Sequence, residues 1–202
     1  MNFLAHAHLS GSNKDVLLGN FIADAVKGKK FLDYRKDIQV GILLHRQIDS
    51  YTDKHELFKQ SVNRVRDDFG RYSGIVVDIF YDHFLASNWK AYHETDLSGF
   101  ATYVYGILTK NVIILPNRTK MLLPFLISQN WLTSYAKLSG LQQVFNGMDR
   151  RTGRISGMEQ AVEVLTKFYS ELYHDFHGFY PQLIDFSKDK LENILSTINS
   201  TG

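Results

Sequence analysis

In the stretch IVVDIFYDHFLASNW (Ile75–Trp89), two carboxylates and an imidazole interrupt an otherwise apolar run. Ile75, Val76, Val77, Ile79, Phe80, Phe84 and Leu85 would cover most of a helical cylinder, and a helix apolar nearly all round is a buried one. Asp78 and Asp82 stand four apart, which stacks them on one helical face. Buried carboxylates so close repel each other unless a cation lies between them. A metal ion is the simplest such cation, with His83 as a ligand or an adjacent group.

GILLHRQIDSYTD (Gly41–Asp53) repeats the pattern, with His45, Asp49 and Asp53 at spacings of four and Ile42, Leu43, Leu44 and Ile48 on the buried side. Neutral imidazole together with carboxylate oxygen suits divalent manganese, iron or zinc. Asp24 closes the apolar segment GNFIAD, and MNFLAHAHLS carries His6 and His8. Taken singly, His6, His8 and Asp53 read as satisfied core groups or solvated helix edges. Four apolar segments that each carry Asp or His point instead to one shared site.

Those segments need helices to present them, and the pattern is helical almost throughout. Asn2 is placed to cap a first helix ending near Ser10–Gly11, and Ser12 with Asp15 resembles a capping box for a second that runs toward Gly28. The spacing predicts further helices over Tyr34–Tyr51, Lys54–Phe69, Ile75–Trp89, Phe100–Leu115 and Lys120–Tyr135, the last kinked at Pro124. Leu141–Asp149 and a long amphipathic Gly157–His177 follow, and Pro181 opens a last helix to about Leu195. The chain of 202 residues, 44% hydrophobic and 13% aromatic, fits one all-α domain over residues 1–195 with a frayed tail at 196–202. There is no cysteine, which excludes disulfides and thiolate metal sites and suits a reducing cytoplasm. No signal peptide is apparent, and no apolar run approaches the roughly 20 residues of a membrane span.

Taken together, MNFLAHAHLS, GNFIAD, GILLHRQID followed by TD, VDIFYDHFLASNW, QNWL with its later Tyr, and NGM followed by RR resemble the bacterial acyl carrier protein phosphodiesterases. The resemblance runs in the same order from Met1 to about Leu191. It implies a single-domain, HD-like helical bundle, a divergent relative of the metal-dependent HD phosphohydrolases. It further implies hydrolytic release of 4′-phosphopantetheine from the serine of holo-acyl carrier protein, a divalent cation (manganese first, with magnesium, iron or zinc as alternatives), and a place in fatty acid and lipid metabolism. Joined to the residue chemistry, the ligand set is Asp24, His45, Asp49, Asp82 and His83. Asp78 is then a ligand or the base that orients water, and His6 a ligand or general acid. Arg46 offers a guanidinium fork to phosphate, or else a salt bridge to Asp49 or Asp53. A divalent ion so held lowers the pKa of a bound water and neutralises a phosphate oxygen. The H…HD…D ligand order of HD enzymes is not present here.

Other chemistries lack their signatures. No Gly-rich phosphate loop, G-x-S-x-G elbow or H-E-x-x-H is found. A net charge of +2 does not by itself announce an acidic partner or nucleic acid. Local clusters do more: Lys27, Lys29 and Lys30, Arg64 and Arg66, and Arg150 and Arg151 with Arg154. If they share a face beside the metal, Arg150, Arg151 and Lys27, Lys29 and Lys30 would steer an acidic carrier protein. The alternatives are an HD-like hydrolase for another phosphoester such as a nucleotide, and a non-catalytic helical binding protein.

Overall fold

The computed structural model describes residues 1–200, and among these residues it is all-α with no strand. Its helices are α1 (Phe3–His8), α2 (Lys14–Ile22), α3 (Lys36–Lys54), α4 (Glu56–Arg64), α5 (Arg66–Phe69), α6 (Ser73–Ser87), α7 (Leu97–Lys110), α8 (Asn117–Ser128), α9 (Trp131–Ser134), α10 (Leu138–Arg151), α11 (Ala161–Lys167) and α12 (Tyr169–Ser200). Short 3₁₀ turns join several of them. One hydrophobic core runs through the bundle, from Leu4 and Ala5 in α1 to Phe176, Phe179 and Leu183 in α12.

Several local readings change. Asn13, not Ser12, caps α2, because its side-chain oxygen accepts from the N–H groups of Asp15 and Val16. Pro181 does not open a helix; it lies inside α12, which continues to Ser200 past the expected frayed boundary. Residues 201–202 lie outside the described residues. The expected helix over Lys54–Phe69 divides at Val65, and Val112–Ile114 forms a 3₁₀ turn.

The packing that matters for the site is between α2 and α3, the most extensive helix pair. Gly19 and Gly41 sit where the two helices touch backbone to backbone. A methyl group on Gly19 would run into the carbonyl of Ile38, and one on Gly41 into the carbonyl of Val16. Only hydrogen fits at both positions, which lets α3 carry His45 right up to the backbone of α2. The short α1 is held from below by α6: the Asp82 carboxylate accepts the N–H groups of Leu4 (2.8 Å) and Ala5 (3.2 Å). Asn2 accepts from Phe3, so the first turn of α1 has its free donors satisfied. α12 buttresses α3 and α4 from the other side.

Gly41→Ala is expected to force α2 and α3 apart and destabilise the fold by about 3 kcal/mol. Chemical denaturation should show it as a lower midpoint at an unchanged slope. Gly106→Ala, where an added methyl group meets open space, is the control and should be neutral or slightly stabilising.

Candidate metal centre and cavity

Two helices bring together His6 from α1 and His45 and Asp49 from α3, whose ligand-type atoms all lie within 4.8 Å of one another. The two imidazoles stack at a centroid distance of 3.9 Å. His6 Nε2 lies 3.2 Å from Asp49 Oδ1, and His45 Nε2 lies 3.1 Å from Asp49 Oδ2 and 3.2 Å from Asp24 Oδ1. Asp24 reaches in from the 3₁₀ turn after α2, and its side chain remains largely exposed.

Which nitrogen carries the proton follows from Asn20, buried in the last turn of α2. Its Nδ2 donates to the His6 carbonyl (2.9 Å) and to Ser10 Oγ (3.0 Å), so its Oδ1 must be the atom facing His6 Nδ1 at 2.8 Å. His6 therefore donates through Nδ1–H. His45 Nδ1 also donates, to the main-chain oxygen of Asn20 at 2.8 Å; that carbonyl is free because it lies in the last helical turn. One asparagine thus fixes both tautomers and turns both Nε2 atoms toward Asp49. His6 Nε2 is buried and makes no hydrogen bond. A lone pair faces a carboxylate oxygen there, and such a pair is held together only by a cation.

The electrostatics agree. Burial, then the nearby His45, pulls the His6 imidazole down to about 4. Burial also disfavours the His45 cation, but the hydrogen bonds with Asp24 and Asp49 outweigh it and hold the imidazolium to about 9. Burial opposes ionisation of Asp49, yet its contacts with His45 and His6 keep the carboxyl well below the usual range. The hydrogen bond with His45 lowers Asp24 as well. In metal-free protein a proton on His45 thus neutralises what a divalent ion would neutralise. The donor set of two imidazole nitrogens and one carboxylate, with a second carboxylate at the edge, fits such an ion.

The other expected site residues are placed differently. Asp78 borders the same cavity, but its Oδ1 pairs with the Met1 α-amino group at 2.7 Å, and that group also lies 4.0 Å from Asp49. Burial pushes the Asp78 carboxyl up. Asp82, expected as a ligand, is fully buried at the start of α1, with its oxygens occupied by backbone N–H groups; burial raises it to about 7. His83, also expected as a ligand, donates Nδ1–H to the Tyr135 carbonyl (2.7 Å) and faces the Tyr169 hydroxyl (3.3 Å). Being one residue on from Asp82, it projects away from the cluster, against Tyr135 and Tyr169. Arg46 turns away too: it donates to the carbonyls of Val26 and Gly28 and lies over Phe31, bracing the exposed turn that carries Lys27, Lys29 and Lys30. Arg150 is exposed, whereas Arg151 lies over Trp131 and lines the cavity.

The cavity beside the cluster has a volume of about 870 Å³. Asp24, Asp49, Asp53 and Asp78 line it; Phe21, Leu122, Phe125, Trp131 and Met148 supply apolar surface, and Arg118 and Arg151 add positive charge. Sequence reasoning missed Asn20, Arg118 and the apolar wall. Asn20 left a signal, an amide inside the apolar run VLLGNFI.

This architecture has relatives. The family described as acyl carrier protein phosphodiesterase matches residues 1–183. The chain belongs to the acyl carrier protein phosphodiesterase family. It is 34% identical over 191 residues to the acyl carrier protein phosphodiesterase of Photorhabdus laumondii, covering 94% of this chain and 96% of the relative. The corresponding values are 32% identity with 94% and 99% coverage for the Yersinia enterocolitica protein, and 33% with 93% and 98% for that of Pectobacterium atrosepticum. No solved structure matches this member of the family.

In metal-free protein, imidazole C–H resonances of His45 and His6 are expected to titrate near 9 and 4 respectively. Because a metal must displace the His45 proton, affinity should rise by about tenfold per pH unit through neutrality. It should level off above about 9. Calorimetry in buffers of different ionisation enthalpy counts the proton released. Asn20→Ala frees the tautomer of His6, while the main-chain carbonyl that holds His45 remains, and should weaken metal binding by about 10- to 100-fold.

Proposed function

We propose that this protein is a metal-dependent phosphodiester hydrolase that releases 4′-phosphopantetheine from holo-acyl carrier protein and regenerates the apo form. The observation that carries this reading is the pair of histidine Nε2 atoms locked against Asp49, beside a cavity that is half apolar and holds two arginines. Membership in the family directs the choice of substrate.

His6, His45 and Asp49 would hold the ion, with Asp24 completing the set, and manganese is the metal proposed. When bound, a divalent ion there supplies positive charge to a phosphate oxygen and acidifies a water molecule. The chain's own groups do the rest. Arg118 and Arg151 offer forked donors to the phosphate oxygens. Asp78, held in place by the Met1 amine, orients the water and takes its proton. The water oxygen bonds to phosphorus, the bond from phosphorus to the serine oxygen breaks, and the serine oxygen takes a proton from solvent, balanced by the one Asp78 removed from the water. The pantetheine arm, with its two amides and its geminal methyl groups, suits a wall made of Phe125, Trp131 and Met148 beside polar groups. The exposed Lys27–Lys30 turn follows directly on Asp24 and Ala25 at the cavity, and we assign it with Arg150 to steering the acidic partner. None of the helices in the described residues is long and apolar enough to cross a membrane. The proposed setting is cytoplasmic fatty acid metabolism.

Holo-acyl carrier protein incubated with the protein and manganese is expected to lose the phosphopantetheine mass in intact-protein mass spectrometry. Chelation should stop the reaction, and Asp49→Ala or His45→Ala should lower kcat by at least about 10³-fold. Full turnover by Asp49→Ala, or hydrolysis of nucleotide diesters with the carrier protein untouched, would refute this assignment.

A further inference from the structure

The near-neutral net charge conceals a strong asymmetry. All 21 acidic residues lie outside Leu97–Met148, a stretch that carries Lys110, Arg118, Lys120 and Lys137. The same stretch is where the protein leaves its grease uncovered: among the described residues, eight of the twelve large hydrophobic side chains exposed to solvent belong to it. Ile113 is 86% exposed, Met121 76% and Phe125 53%. They belong to the turn before α8 and to α8 itself, and Lys120 ties the two together by donating to the Ile113 carbonyl at 2.8 Å. Arg118, Met121 and Phe125 also line the cavity. The ridge is therefore continuous with the rim of the reaction site.

We infer that this ridge, the Val112–Ile114 turn and the outer face of α8, is the surface on which the acidic carrier protein docks while its arm enters the cavity. The inference rests on the function proposed above and adds the place of contact. Three features on one surface select this occupant. A segment free of carboxylates adds no like charge of its own against an acidic partner. Exposed Ile, Met and Phe flanked by Lys and Arg form an apolar centre with a charged margin, as protein interfaces do. Continuity with the cavity lets a tethered phosphodiester reach the cluster from a protein seated here. The Lys27–Lys30 turn has the charge but presents only Leu32 as exposed apolar surface nearby.

Ile113 and Lys120 are on the ridge but not in the cavity lining, so they test docking apart from chemistry. With the metal-loaded protein, Ile113→Asp combined with Lys120→Glu is expected to lower kcat/KM on holo-carrier protein about tenfold or more. The salt dependence should flatten, kcat at saturation should persist, and turnover of bis(p-nitrophenyl) phosphate should not change. Lys120→Arg should behave as wild type, and Ile113→Ser alone should show part of the loss. Calorimetric titration with apo-carrier protein, which has no arm to cleave, should weaken in the double variant by a similar factor. Unchanged apo-carrier affinity, or equal loss on both substrates, overturns the docking face and leaves the proposed reaction standing. A wild-type protein that hydrolyses the small diester but never releases phosphopantetheine overturns the reaction itself. Concentration-dependent self-association abolished by the double variant, or co-flotation with anionic phospholipid vesicles abolished by it, would assign the ridge to another occupant.

Discussion

The site depends on a mismatch: two histidine lone pairs aimed at the same carboxylate. Left to itself, such a cluster relaxes by rotating an imidazole or drawing in a proton. Rotation is blocked here because Asn20 occupies both Nδ1 atoms, one with its side chain and one with its main chain. The proton is admitted at only one of the two rings, the one flanked by Asp24 and Asp49. The cluster thus keeps a shape that suits a doubly charged ion better than a singly charged proton.

That shape is passed down from backbone packing. His45 reaches the Asn20 carbonyl because two glycines let α2 and α3 touch, and His6 sits opposite because Asp82 anchors the start of α1. A buried carboxylate of this kind is tolerated because two N–H groups and the positive end of a helix face it. Ser61, Tyr81 and Asp175 form a comparable buried link between α4, α6 and α12, remote from the cavity. Polar groups in this core therefore serve two ends, some to hold helices in register and some to face the reaction.

The sequence distinguishes these ends only partly. His45 and Asp49 were legible because both sit on one helix, where spacing alone fixes their relation. The all-α architecture was legible for the same local reason. Asp82 and His83 looked like ligands because burial in an apolar run is common to ligands and to helix anchors. What separates them is a backbone N–H arriving from 78 positions away, which no local pattern carries. Arg46 was misread similarly, since its partners are carbonyls in the preceding turn. Asn20 was visible as an anomaly but had no obvious partner until α1 and α3 closed on either side of it. Pro181 looked like a helix start, yet the side chains before and after it belong to one buried stripe, with Phe176, Phe179, Tyr180 and Leu183 all in the core.

The anchoring of α1 also fixes when the site can exist. This segment precedes the other core helices in the sequence, yet six residues of helix cannot persist alone in water. Its N–H groups wait for Asp82, and His8 at its far end waits for the Tyr180 hydroxyl, 172 positions later. His6 therefore reaches Asp49 only once α2, α3 and α6 have closed around α1. An ion held by the full set would thus report a folded chain.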